Sequence, residues 1–212
     1  NILVKVISLF FVPIMRMLLG GAAGYAIFGA SNEVFAFVYV LATAGLPVAI
    51  SKLITELTAK NDPRAAERAF KLARSILFMI GLTLAILLAV FAKPIAGWMN
   101  AEESWAGILC ISPTVLICSM LSSYKGYFQG KKNMTPTAVS QVVEQLVHVV
   151  VSVVMVLLLR PLGIVWAVAG ASTGTAVGAF VALLLMYRES RKEKNQEYRQ
   201  RLSVLRTGGR DA

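Results

Sequence analysis

SYKGYFQGKKNMTPTAVSQVVEQLVH, residues 123–148, sets a short basic loop directly before a long apolar helix. Thr135 and Pro136 read as the N-cap and first position of that helix. Beyond them the chain is apolar to Leu159 apart from a few small hydroxyls and Gln141, Glu144, Gln145 and His148. At 1.5 Å of rise per residue from Pro136, Glu144 lies about 12 Å along the helix and His148 about 18 Å. A hydrocarbon core is about 30 Å thick, so both fall near its middle. An acidic residue there costs about 2.5–3.5 kcal/mol on insertion scales. Such a residue should face a bundle interior or a wet cavity and have partners. Glu144 and His148 are four apart and share a helix face, with Gln141 one turn before Glu144. Two readings follow: a polar pair that fixes helix packing, or a patch lining a substrate or proton path.

The rest of the chain fits a membrane setting. It is 57% hydrophobic and 15% charged over 212 residues, with mean hydropathy +0.70. Long apolar runs at this composition indicate spans. Six are expected, at about 2–19, 33–51, 75–92, 105–123, 136–159 and 162–187. Segment 2–19 reads as a retained span rather than a removed leader. The start at Asn1 without Met suggests a processed or truncated chain. Residues 19–31, LGGAAGYAIFGAS, read as a bent glycine-rich connection. Asp62–Pro63 reads as the start of a helix that rises into the third span.

Charge sets the expected orientation. Seventeen of the 21 Lys and Arg residues lie in the 52–74 connection, the 124–134 loop and the tail from Arg188. With six spans these segments share one side, which the positive-inside rule makes the cytoplasm, together with both termini. Trp98, Trp105 and Trp166 then fall at the outer ends of spans, as an aromatic belt. This distribution also argues against nucleic acid as the partner of a chain of net charge +10. The domain reading is a membrane lobe over 1–187 and a basic cytoplasmic tail over 188–212.

Other features carry less chemistry. Gly45 and Pro47 interrupt the second span as a packing kink or a gate. Gly170, Gly174 and Gly178 form a four-residue row that lets another backbone approach closely. Arg16 either snorkels to the outer interface or turns into a cavity toward an anion. Cys110 and Cys118 are about 12 Å apart along one helix, too far for a disulfide. A single His and no CxxC leave no metal spacing, and no cofactor motif or catalytic set emerges. The chain therefore reads as a non-enzyme.

Two stretches resemble a known family: LATAGLPVAISKLITE (41–56) and YKGYFQGKKNMTPTAVSQVVEQLVHV (124–149). They are similar to the stage V sporulation protein B branch of the multidrug/oligosaccharidyl-lipid/polysaccharide exporter superfamily, which includes polysaccharide and lipid II flippases. The resemblance implies an all-α membrane protein in which six helices form one lobe of a MATE-like, two-lobe transporter working by alternating access. This chain matches the first lobe, with the tail as a linker. An even number of spans suits a parallel repeat. The family usually has Arg where His148 stands, and Arg just before the proline of the first span, where this chain has Val12. Arginines of that span help recognise pyrophosphate in lipid II flippases, and only Arg16 remains here.

The expected function is flipping of a lipid-linked cell-wall or polysaccharide precursor in a bacterial cell membrane. Membrane lipids, a lipid II-like or oligosaccharide-lipid substrate, and a second lobe or a second copy are the implied partners. Arg16, Gln141, Glu144, Gln145 and His148 are the candidate cavity residues. The alternatives are a cation-coupled multidrug antiporter of the same fold, and a non-transporting scaffold or half-transporter.

Overall fold

The computed structural model describes the backbone of residues 2–43, 45–60 and 63–208. Among these the chain forms eight α-helices: α1 (Ile2–Leu18), α2 (Ala22–Thr43), α3 (Leu46–Ala59), α4 (Pro63–Val90), α5 (Ala92–Trp98), α6 (Trp105–Gly130), α7 (Thr135–Leu159) and α8 (Ile164–Gly208). Five segments are long and apolar enough to cross a membrane: Ala22–Ala59, Arg64–Val90, Glu102–Gly130, Thr135–Leu162 and Ile164–Glu193. α1 adds a shorter apolar stretch, Leu9–Leu18, at the position expected for the first of the six spans.

The second span differs most from expectation. The turn after α1 is confined to Gly20 and Gly21, at φ +81° and +100°. Helix begins at Ala22, so most of the expected glycine-rich connection is helical. A Cβ on Gly24 would collide with the Leu19 carbonyl and lie 2.9 Å from Ile164 Cδ1. Glycine there permits close packing rather than a bend. The span breaks at Gly45, which caps α3 in the left-handed region at φ +71°. Pro47 sits in the first turn of α3, where its missing N–H costs nothing. The interruption is thus a glycine break followed by a new helix, not a proline kink within one helix.

α6 is the hub. In its membrane-crossing window 67% of residues are buried, against 11% in α7. Small residues make this possible. Gly81 of α4 lies against Ser119, Gly107 lies against Ser31 and Ser172, and Gly126 and Gly130 lie against Ile50 and Ile54 of α3. Ser112, Ser119 and Ser123 return their hydroxyl protons to carbonyls one turn back, at 2.7–2.8 Å. Such bonds let polar side chains sit in a dry interior. The Phe70 ring of α4 meets Tyr124 edge-on and Tyr127 at a tilt, closing the core against α6 at the basic end. At the opposite end lie Trp98, Trp105 and Trp166, with Lys93 Nζ 5.1 Å from the Trp105 ring centre.

Three boundaries move. The 124–134 loop shrinks to residues 131–134, because α6 runs on to Gly130. Lys125 is therefore a helical residue within the bundle, not a loop cation. The N-cap of α7 is Met134, with Thr135 already helical and no side-chain cap bond. α8 continues as one helix past residue 187, and Glu193 Oε1 reaches Lys131 Nζ at 3.5 Å. Asp62, expected to cap α4, lies outside the described residues, as do 209–212 of the tail.

Candidate functional site

The face of α7 that carries Glu144 and His148 is seated by the glycine row of α8. A Cβ on Gly174 would overlap Ser152 Oγ and lie 2.9 Å from the His148 carbonyl. One on Gly178 would lie 2.6 Å from the Glu144 carbonyl, and one on Gly170 3.1 Å from that of Met155. Ser152 donates its hydroxyl proton to the Ala171 carbonyl at 2.8 Å, locking the same contact. The row is covered by α7 within the chain, so a second copy cannot pair through it. Beside this contact, Glu144, Gln145 and His148 of α7 face residues of α2 and α6.

There they line a cavity of about 240 Å³. α2 contributes Asn32, Phe35 and Tyr39, and α6 contributes Cys118, Leu121 and Lys125. α7 adds Glu144, Gln145 and His148, and α8 adds Thr175. Lys125 Nζ stands 3.6 Å from Glu144 Oε2, with the two side chains 17% and 21% exposed. Neither is solvated as a surface charge would be, so each depends on the other. The imidazole of His148 packs on Phe11 of α1, ring centres 4.8 Å apart. Its Nε2 is buried with no hydrogen-bond partner, as is Thr175 Oγ1 in the same cavity. Polar groups left this way are prepared to bond something that enters.

The structure thus brings Glu144, Gln145 and His148 together. Gln141, half-buried one turn away, does not line the cavity. Arg16 is exposed in the last turn of α1 and stands apart from it. Glu144 pairs with Lys125 of α6, a partner that the spacing within α7 did not suggest. Lys125, Asn32, Tyr39 and Thr175 escaped the sequence reading. Lys125 had a signal, since Ser122, Gly126 and Gly130 continue a four-residue helical row through the presumed loop. Among the described residues no three His, Cys, Asp or Glu side chains come together to hold a metal ion.

Residues 1–206 match the family described as Polysaccharide biosynthesis protein. The chain belongs to that family. Within it, Stage V sporulation protein B of Bacillus subtilis (strain 168) is 33% identical over 79% of this chain and 32% of its own length. Lipid II flippase MurJ of the same organism is 30% identical over 82% of this chain and 34% of its own length. The chain spans about a third of the length of these curated relatives. Among solved structures, the fold is similar to that of MATE in complex with MaD3S, with TM-score 0.69 and 16% identity over 85% of this chain and 42% of that one. MATE in complex with MaL6 gives 0.68 and 16%, over 91% and 45%. This family member is accordingly a multi-pass, all-α membrane protein with the fold of one MATE-like lobe.

Proposed function

We propose that the chain is one lobe of an exporter that flips a lipid-linked, anionic cell-wall or polysaccharide precursor across a bacterial cell membrane. The observation that carries this is the Lys125–Glu144 pair, held in a cavity between apolar spans. A phosphate-bearing headgroup entering the cavity would compete with Glu144 for Lys125. Phosphate oxygens and a carboxylate present the same chemistry to an ammonium donor. Glu144, released from its partner, would be open to a coupling cation, which gives the cycle a coupling step. Gln145, His148 and Thr175 supply the neutral polar contacts. Lys125 supplies the basic group of the cavity.

A second lobe is part of this proposal, supported by the share of its relatives that the chain spans. It would cover the exposed apolar side chains of α1 and α2, among them Leu9, Phe10, Met17 and Phe37. Residues 1–187 would form the present lobe and the tail from Arg188 the linker. The basic end of the bundle would lie in the cytoplasm with both termini, following the positive-inside rule. Reporter fusions after Lys60, Lys132 and Trp98 test this orientation, with only the third expected outside.

The test of transport is a proteoliposome assay with the chain joined to its second lobe and a fluorescent undecaprenyl-pyrophosphate sugar. Translocation is expected, and Lys125→Gln should slow it severely. Equal rates in wild type and Lys125→Gln would remove the ion pair from the mechanism. Phe35 and Tyr39 beside Glu144 favour a second reading, a cation-coupled drug antiporter, since aromatic faces and a carboxylate suit organic cations. Ethidium efflux driven by an imposed proton or sodium gradient, with no lipid flipping, would select that reading. A joined protein that moved neither compound would leave a structural, non-transporting role.

A further inference from the structure

A second, larger hollow lies on a different face of α6. It has a volume of about 460 Å³ and opens between α4, α6 and α8 near the basic end. Its rim carries Arg74, Tyr124 and Tyr187, one residue from each helix. One turn away in the same three helices stand Phe78, Met120 and Leu183. α4 runs away from the basic end while α6 and α8 run toward it. In every case the apolar residue is therefore about 6 Å closer to the middle of the bundle than its polar counterpart. The groove is polar at one level and apolar at the next, on three walls at once.

The rim is built for an anion. Arg74 Nη1 donates to the Tyr124 hydroxyl at 3.1 Å, which holds the guanidinium in place. A guanidinium has five N–H donors, so this bond orients the group without exhausting it. Lys71 joins the lining from one turn before. Its partner Glu67, at 3.3 Å, forms an exposed surface pair, which yields readily to a stronger anion. Arg191 approaches from α8, donating Nε and Nη2 to the Tyr187 hydroxyl at 2.9 and 2.6 Å. Cations and tyrosines at one level, with an apolar slot directly inward, match a phosphodiester headgroup and the start of its acyl chains.

We infer that this groove binds the phosphate of an anionic phospholipid of the surrounding membrane, with Arg74 and Lys71 as its principal contacts. The site is separate from the Lys125–Glu144 cavity. Cys118, Leu121 and Lys125 face that cavity, whereas Met120 and Tyr124 face the groove. A lipid held here would bridge α4 and α8, whose own contact is limited at this level.

Native mass spectrometry of the full chain in detergent tests the assignment. Dioleoyl phosphatidylglycerol should be retained and dioleoyl phosphatidylcholine should not. Arg74→Gln with Lys71→Gln should reduce retention about tenfold, while Arg74→Lys should keep most of it. Lys60→Gln with Lys132→Gln, which removes the same charge elsewhere at the basic end, should leave retention unchanged. Circular dichroism on each variant ensures that a folded protein is compared. Equal retention of the two lipids would overturn the site, as would equal losses from both double variants. Displacement of the lipid by millimolar inorganic phosphate would also overturn it, by showing a free-phosphate site that does not use the apolar slot.

Discussion

Lys125 of α6 and Glu144 of α7 face each other at 3.6 Å, each about one-fifth exposed, in a cavity between predominantly apolar spans. Removing one partner leaves the other charge with little solvent to receive it. Partial exposure reduces the penalty below that of a fully buried pair. Lys125→Met and Glu144→Gln should each destabilise the bundle by about 1–3 kcal/mol, and the double variant by less than the sum. Titration with sodium dodecyl sulfate in mixed micelles measures this. Strict additivity would mean that the two side chains do not interact.

The glycine row makes a steric prediction. Gly174→Ala must push α7 away from α8, because backbone atoms of both Ser152 and His148 lie within 3 Å of the new Cβ. A loss of about 1–3 kcal/mol is expected. Adding Ser152→Ala removes the overlapping hydroxyl but not the backbone contacts, so it should recover only part. Gly29→Ala meets nothing within 4 Å and should be neutral or slightly stabilising. The order of unfolding midpoints across these variants checks the account.

The break in the second span should respond to Gly45 and not to Pro47. Gly45→Ala forces a Cβ into the left-handed region at φ +71°, costing about 1–2 kcal/mol. Pro47→Ala at the start of α3 removes no clash and gains only an N–H that no helical bond requires. Its effect should stay within about 0.5 kcal/mol. A larger loss from Pro47→Ala than from Gly45→Ala would return the break to proline.

The docking of α3 on α6 can be separated into packing and hydrogen bonding. A Cβ on Gly130 would lie 2.7 Å from Ile54 Cβ and 2.8 Å from the Ser51 carbonyl. Thr55 Oγ1 shares its one proton between the Ser51 carbonyl at 2.8 Å and the Gly130 carbonyl at 3.0 Å. Thr55→Val keeps the shape and should cost about 1 kcal/mol, whereas Gly130→Ala should displace α3. Increased trypsin cleavage at Lys60 in Gly130→Ala, with little change in Thr55→Val, is the expected pattern.

Much of this was legible from residue order. Apolar runs located α4, α6, α7 and α8 and the polar face of α7, because lipid imposes a length and a cost that composition reveals. The glycine row of α8 announced close packing, though its partner could be known only once α7 was seen against it. The second span was misread because Gly24 and Gly29 look like turn residues in water, yet here both are helical, Gly24 packed tightly against Leu19 and Ile164 and Gly29 on an open face. The cavity was half legible, since Glu144 and His148 advertise themselves in an apolar run. Its other charge did not.

Sequence alone determined that this chain crosses the membrane several times, that its cations gather at one end, and that one helix carries a polar face at depth. Those are consequences of one-dimensional composition meeting a bilayer of given thickness. Tertiary structure decided that residues 124–130 are helix, that Lys125 is the partner of Glu144, and that Gly126 and Gly130 receive α3. The reason is that a lysine beside glycines reads as a loop until a carboxylate from another helix and a close-packed neighbour stabilise it within the bundle. The ion pair joins residues 19 positions apart, and its existence depends on α6 and α7 both packing on α8, which sets them facing each other across the cavity and which no local pattern encodes.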